Sequence, residues 1–144
     1  MIEKDTVRLL RECDAGIEMG VSSIGDVLGS VRSPVLRRIL SDSRKEHEAL
    51  RNEVASALDR FHDEGKEPNP VAKAMSSMKT GVRLAVDESD AAIADLMTDG
   101  CNMGVKSLHR YLNQYKAADE SSKNIAKCLA NMEEKLVIDI RSVL

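Results

Sequence analysis

The sequence has 144 residues with 21 basic and 24 acidic side chains, a net charge of −3, which is enough chain for one domain with a continuous core. The two signs are interspersed, so there is no basic stripe to meet a phosphate backbone, and nucleic acid is excluded as a partner. The N-terminus MIEKDTVRLL is charged from its third residue and no apolar run approaches about 18 residues, so neither a signal peptide nor membrane insertion is expected.

The first apolar stripe runs Val7, Leu10, Ile17, Val21, Ile24, Leu28 and Val31, at steps of three and four that predict a helix over about 4–29. Gly29 and Ser30 break it. Ser33-Pro34 restarts the chain with a hydroxyl cap followed by proline at the first helical position, and a second helix runs to about Asp63. The polar segment HDEGKEPNP (62–70) is a linker. Residues 71–85 follow as a short amphipathic helix with Val71, Met75, Met78, Val82 and Ala85 on one face, suited to packing on its own bundle or on a partner helix. A third helix covers about 88–115, with Asp87 as its cap, and a fourth runs from an Asp119 cap close to Leu144. The expected class is all-α: one domain over 1–144, with a first hairpin at about 4–63, a crossover at about 64–86 and a second hairpin at about 87–144.

Composition agrees with helices. Phe61, Tyr111 and Tyr115 are the only aromatic residues, so the core is aliphatic and Met-filled, and strand-like alternation is missing. Three cysteines, Cys13, Cys101 and Cys128, are an odd number without a CxxC pair. They read as core or boundary thiols in a reducing cytoplasm. His62 and His109 read as surface residues.

The chain resembles itself. At an offset of 84, Met19, Gly20, Val21, Ser23, Ile24 and Leu28 fall on Met103, Gly104, Val105, Ser107, Leu108 and Leu112. At an offset of 86, Ser33 falls on Asp119, Ile39 on Ile125, Glu48 on Glu134, Leu50 on Leu136 and Leu58 on Leu144. The first helix thus repeats as the third and the second as the fourth, an internal duplication of one helical hairpin. Gly16 and Gly20 repeat as Gly100 and Gly104. Helical glycines cost roughly 0.8–1 kcal/mol each relative to Ala, so close helix packing at these positions is expected, within the bundle or across a homodimer.

Two helical hairpins joined by a long crossover resemble the ferritin-like superfamily, and segments such as DGCNMGVKSLHRYLNQY are similar to those of bacterial ferritin-like bundles. That resemblance implies a fold rather than an activity. Asp14 interrupts the first apolar stripe, and His47 lies inward on the second helix, whose stripe reads Leu36, Leu40, Ser43, His47, Leu50, Val54, Ala57 and Phe61. The repeat carries these two positions to Thr98 and Glu133, so one polar residue per helix is expected to meet in a mid-bundle layer, with Ser43 and Arg44 beside it. Ferritin-like di-iron proteins place a Glu on two helices and Glu-x-x-His on the other two. Here Arg44 stands three residues before His47, Ala130 three before Glu133, and Thr98 on the third helix.

The di-iron motif is therefore degenerate. At most Asp14, His47 and Glu133 remain as metal ligands, which suits a single Fe, Mn or Zn. The favoured expectation has no cofactor: a non-enzymatic structural, scaffold or partner-binding bundle, cytoplasmic, assembling as a homodimer or other homo-oligomer. The alternative is a metal-binding protein of storage or redox chemistry using the reduced Asp/His/Glu set. An enzyme acting through a thiol would need an exposed cysteine of depressed pKa.

Overall fold

The computed structural model describes residues 2–63 and 89–144. Among these residues the structure is entirely helical: α1 spans Ile2–Leu28, α2 Pro34–Asp59, α3 Asp90–Gln114 and α4 Glu120–Ile140, followed by a 3₁₀ turn at Arg141–Val143. No helix among them is long and apolar enough to cross a membrane. The expected crossover at about 64–86, its helix at 71–85 and the Asp87 cap lie outside the described residues.

Local chemistry sets the boundaries. Ser33 sits in extended backbone before Pro34, and its hydroxyl accepts from the Leu36 N–H at 3.2 Å, which satisfies one of the donors a helix start leaves open. Asp119 does the same for α4, accepting from the Ser122 N–H at 2.8 Å. The cap of α3 is Ser89, which accepts from the Ala92 N–H at 3.2 Å. α2 stops at Asp59, short of the expected Asp63, because His62 turns into the left-handed region at φ 55. The Asp63 N–H then donates back to the Leu58 carbonyl at 3.1 Å and closes the helix end.

Four hydrogen bonds tie the hairpins together in a reciprocal way. The Asp90 carboxylate, at the start of α3, accepts from the Arg32 N–H at 2.9 Å and the Ser33 N–H at 2.8 Å, both in the α1–α2 turn. At the other end Asp5 and Thr6, at the start of α1, accept from Ala117 and Asp119 in the α3–α4 turn, at 3.1 and 2.8 Å. Each hairpin's first helix therefore holds the other hairpin's turn. The Arg11–Asp63 ion pair at 3.6 Å puts the end of α2 beside the start of α1. Asp63 and Ser89 thus lie at opposite ends of the bundle, α2 and α3 run parallel, and α1 and α4 share the opposite direction.

α1 packs against all three other helices, and α2 also packs against α4. The buried residues fall into two groups. Toward the α1 N-terminus lie Leu9, Leu10, Cys13, Ile17, Leu50, Val54, Leu108 and Leu129. Toward the α1–α2 turn lie Ile24, Val27, Leu36, Leu40, Ile93, Met97, Cys101, Leu136 and Ile140. Between them every helix passes through a short interval that supplies neither group.

If the reciprocal turn contacts hold the hairpins in register, Asp90→Ala lowers stability by about 1–3 kcal/mol, because two turn N–H groups lose a charged acceptor together. Asp90→Asn keeps one acceptor and loses less. Urea unfolding of the three proteins measures both differences.

Candidate functional site

The interval between the two core groups holds the polar layer. His47 on α2 is 1% exposed and Glu133 on α4 is 7% exposed. Register places them at one level. Asp119 meets Thr6 across 113 residues of sequence, and Leu129 meets Gly16 with the same separation, so Glu133 stands level with Gly20. Gly20 in turn faces His47, and the Lys135–Glu46 ion pair at 3.3 Å confirms the pairing of α4 with α2 one step away.

Each polar side chain lies against a glycine of its own hairpin. A Cβ built on Gly20 would fall 2.9 Å from His47 Cδ2 and 3.0 Å from its Nε2. A Cβ on Gly104 would collide with Glu133 Oε2. Real Cβ atoms do not come that close, so the space over each glycine backbone is what houses the imidazole and the carboxyl. The two contacts join residues that the repeat pairs, Gly20 with Gly104 and His47 with Glu133.

Their polar satisfaction differs. His47 Nδ1 lies 2.7 Å from the Ser43 carbonyl and 3.5 Å from the Ser43 hydroxyl. A carbonyl only accepts, so Nδ1 carries the proton and donates. Burial lowers the His47 pKa from 6.5, against smaller upward effects of the Ser43 hydrogen bond and Glu46, and the ring is neutral near pH 7. Glu133 Oε2 is buried with no hydrogen-bond partner among the described residues. Burial alone pushes its carboxyl up to about 8, so it too is neutral near pH 7. Burial, and then the nearby Glu133 carboxyl, push the Cys101 thiol up to about 12.

Several expected members of the layer are elsewhere. Asp14 precedes Gly20 by six residues, about 9 Å along the axis, and sits half-buried beside Cys13 in the lower core group. Thr98 precedes Gly104 by the same count on a helix of opposite direction, so it lies the same distance on the other side. Its hydroxyl donates to the Ala94 carbonyl of its own helix at 2.7 Å. Ser43 is buried in the layer, but Arg44 points away, packing its guanidinium 3.7 Å from the Gly25 Cβ position and pairing with Glu48 at 3.5 Å. On α1 and α3 the layer consists of glycine.

Asp14, His47 and Glu133 are therefore not gathered into one ligand set. Among the described residues no group of three or more His, Cys, Asp and Glu side chains could hold a metal ion. The residues present do not fit a di-iron centre, which needs about six inward ligands.

Close packing at the glycines is also selective. A Cβ on Gly16 would stand at an ordinary 3.7 Å from Leu129, whereas one on Gly100, which is exposed, would meet nothing within 4 Å among the described residues. What approaches Gly20 and Gly104 is a side chain rather than a second backbone. Cys13 and Cys101 are buried, but Cys128 is exposed and lines a shallow groove of about 610 Å³ between α2 and α4 with Leu50, Ser56, Arg60 and Asn124. Burial, then Glu12 and Asp14, push the Cys13 thiol up to about 12, so neither buried cysteine is an activated nucleophile. His62 and His109 are exposed.

No family model, no curated protein and no solved structure matches this chain.

The glycine contacts predict opposite outcomes for one substitution. Gly100→Ala, at an exposed position, gains helix propensity of roughly 0.8–1 kcal/mol with nothing among the described residues to displace. Gly20→Ala gains the same propensity but strikes the His47 ring, and loses about 1–3 kcal/mol overall through overpacking. Denaturant unfolding of the two variants, with Gly20→Ala repeated on a His47→Ala background, reads the sign and its relief.

Proposed function

We propose that the chain is a ferritin-like four-helix bundle, built by duplication of one helical hairpin, that has lost di-iron chemistry. Its role is non-enzymatic: a structural, scaffold or partner-binding protein of the bacterial cytoplasm, working as a homodimer or larger homo-oligomer. The observation that carries this reading is the composition of the mid-bundle layer. Where a di-iron bundle needs an inward ligand on every helix, α1 and α3 present Gly20 and Gly104, and the remaining space is filled by one imidazole and one carboxyl. A layer built this way packs the bundle with two potential ligands where a di-iron centre needs about six.

Helix direction supports the ferritin-like part. Parallel α2 and α3, with their joined ends at opposite poles, are what a long connection between two hairpins produces. The reciprocal capture of turns by Asp90 and by Asp5 with Thr6 supports the duplication.

Elemental analysis of protein purified without chelator or metal-affinity resin tests the reading. The expected result is iron, manganese and zinc all far below one ion per chain, unchanged in Asp14→Ala and His47→Ala. A stoichiometric ion that both variants lose would establish the reduced Asp/His/Glu site and overturn the proposal.

A further inference from the structure

The groove of about 610 Å³ between α2 and α4 has Leu50 and Ile125 among its lining, with short side chains at Ser56 on α2 and at Asn124 and Cys128 on α4. Leu50 is buried and Ile125 half-buried. Two long charged side chains also line it, Glu53 and Arg60, both exposed and both on α2 or its cap. They stand two turns apart, about 10.5 Å along the axis, beyond the three- and four-residue spacings at which side chains of one helix pair. Among the described residues neither enters an ion pair. Elsewhere on α2 the charges are matched: Arg44 pairs with Glu48, Arg51 with Glu18 and Glu46 with Lys135.

One acid and one base at this spacing complement themselves. Two copies of α2 laid antiparallel about Ser56 bring Glu53 of each level with Arg60 of the other, because the two residues are equidistant from the midpoint at 56–57. A two-fold contact satisfies both charges twice with the same pair of residues. The short Ser56 at the axis lets the two helices approach, and each α2 then lies over the groove of the other copy. A partner of any other sequence would have to present a base and an acid in the reverse order at the same separation, whereas a second copy does so by symmetry.

We propose that the α2–α4 groove is where a second copy of this chain docks, α2 against α2 in an antiparallel two-fold, with reciprocal Glu53–Arg60 pairs fixing the register and Leu50 and Ile125 covered. The inference rests on the homo-oligomeric part of the proposed function and names its surface. Charges at the edge of a contact set register and partner choice more than affinity, so the dimer is a weak and reversible one. Cys128 reports on it. The Glu46–Lys135 pair on antiparallel helices puts Cys128 level with Glu53 across the groove, and a docked copy covers it.

Sedimentation equilibrium of the full chain under reducing conditions, over a wide range of concentration, compares the wild type with Glu53→Arg, Arg60→Glu and the double variant carrying both. The wild type is expected to form a reversible dimer. Each single reversal sets like charges opposite each other at both ends of the contact and weakens association by roughly tenfold or more, and the double variant restores it. A wild type that stays monomeric throughout would overturn both this surface and the homo-oligomeric role. A wild type that associates regardless of the single reversals, or a double variant that stays weak, removes this surface and leaves an oligomer built elsewhere on the bundle. Both side chains are exposed, so the variants are expected to fold. Should one not, Cys128 of the wild type decides: its alkylation by iodoacetamide slows several-fold as protein concentration rises if the groove is covered in the dimer, and a rate independent of concentration rules the docking out.

Discussion

Two polar side chains lying against two glycine backbones set the middle of this bundle. Four aliphatic helices could run one uninterrupted core from end to end, but His47 and Glu133 enter at the same level and divide it into two groups. Each occupies space that a Cβ on the facing helix would take. Gly20 and Gly104 supply the missing volume, at the cost in helix propensity that a glycine carries. The arrangement of the remaining helix contacts follows, because Leu129 reaches Gly16 and the Glu46–Lys135 pair closes only in that register.

The layer also couples proton binding to folding, with opposite signs at its two residues. Glu133 keeps a proton in the folded state that the unfolded chain releases near 4.5, so its contribution to stability is complete below that value and is lost as pH rises to about 8. His47 is held neutral, so its contribution is present above 6.5 and is lost as pH falls through its lowered folded value. In the window between that lowered value and 6.5 the two oppose each other. Above 6.5 only the Glu133 loss continues, up to about 8.

Much of the fold was legible in residue spacing. Stripe periodicity and the Ser33-Pro34 and Asp119 caps located α1, α2 and α4, because capping and burial act through neighbours in sequence. The end of α2 is not legible in the sequence, because the left-handed turn at His62 has no glycine to announce it. His47 and Glu133 were found as inward polar residues on aliphatic stripes. Asp14 and Thr98 were assigned to the same layer by taking one polar residue per helix, although a polar residue at a stripe's edge can sit half-buried beside its own helix, as Thr98 does by donating to Ala94. The signal for the true α1 and α3 members was present as the repeated Gly20 and Gly104. It does not name its partner, because a glycine shows that something comes close and not what comes close.

The most direct test of a neutral, metal-free layer is carbon-13 NMR of glutamate side-chain carboxyls in uniformly labelled protein, titrated from acid to mildly alkaline pH and assigned with Glu133→Gln. The account predicts one carboxyl, absent in that variant, that is still protonated at pH 7 and titrates near 8. A Glu133 carboxyl already ionised at neutral pH would contradict it, since an ionised side chain at that depth must have a cation or donor partner, and none stands beside it among the described residues.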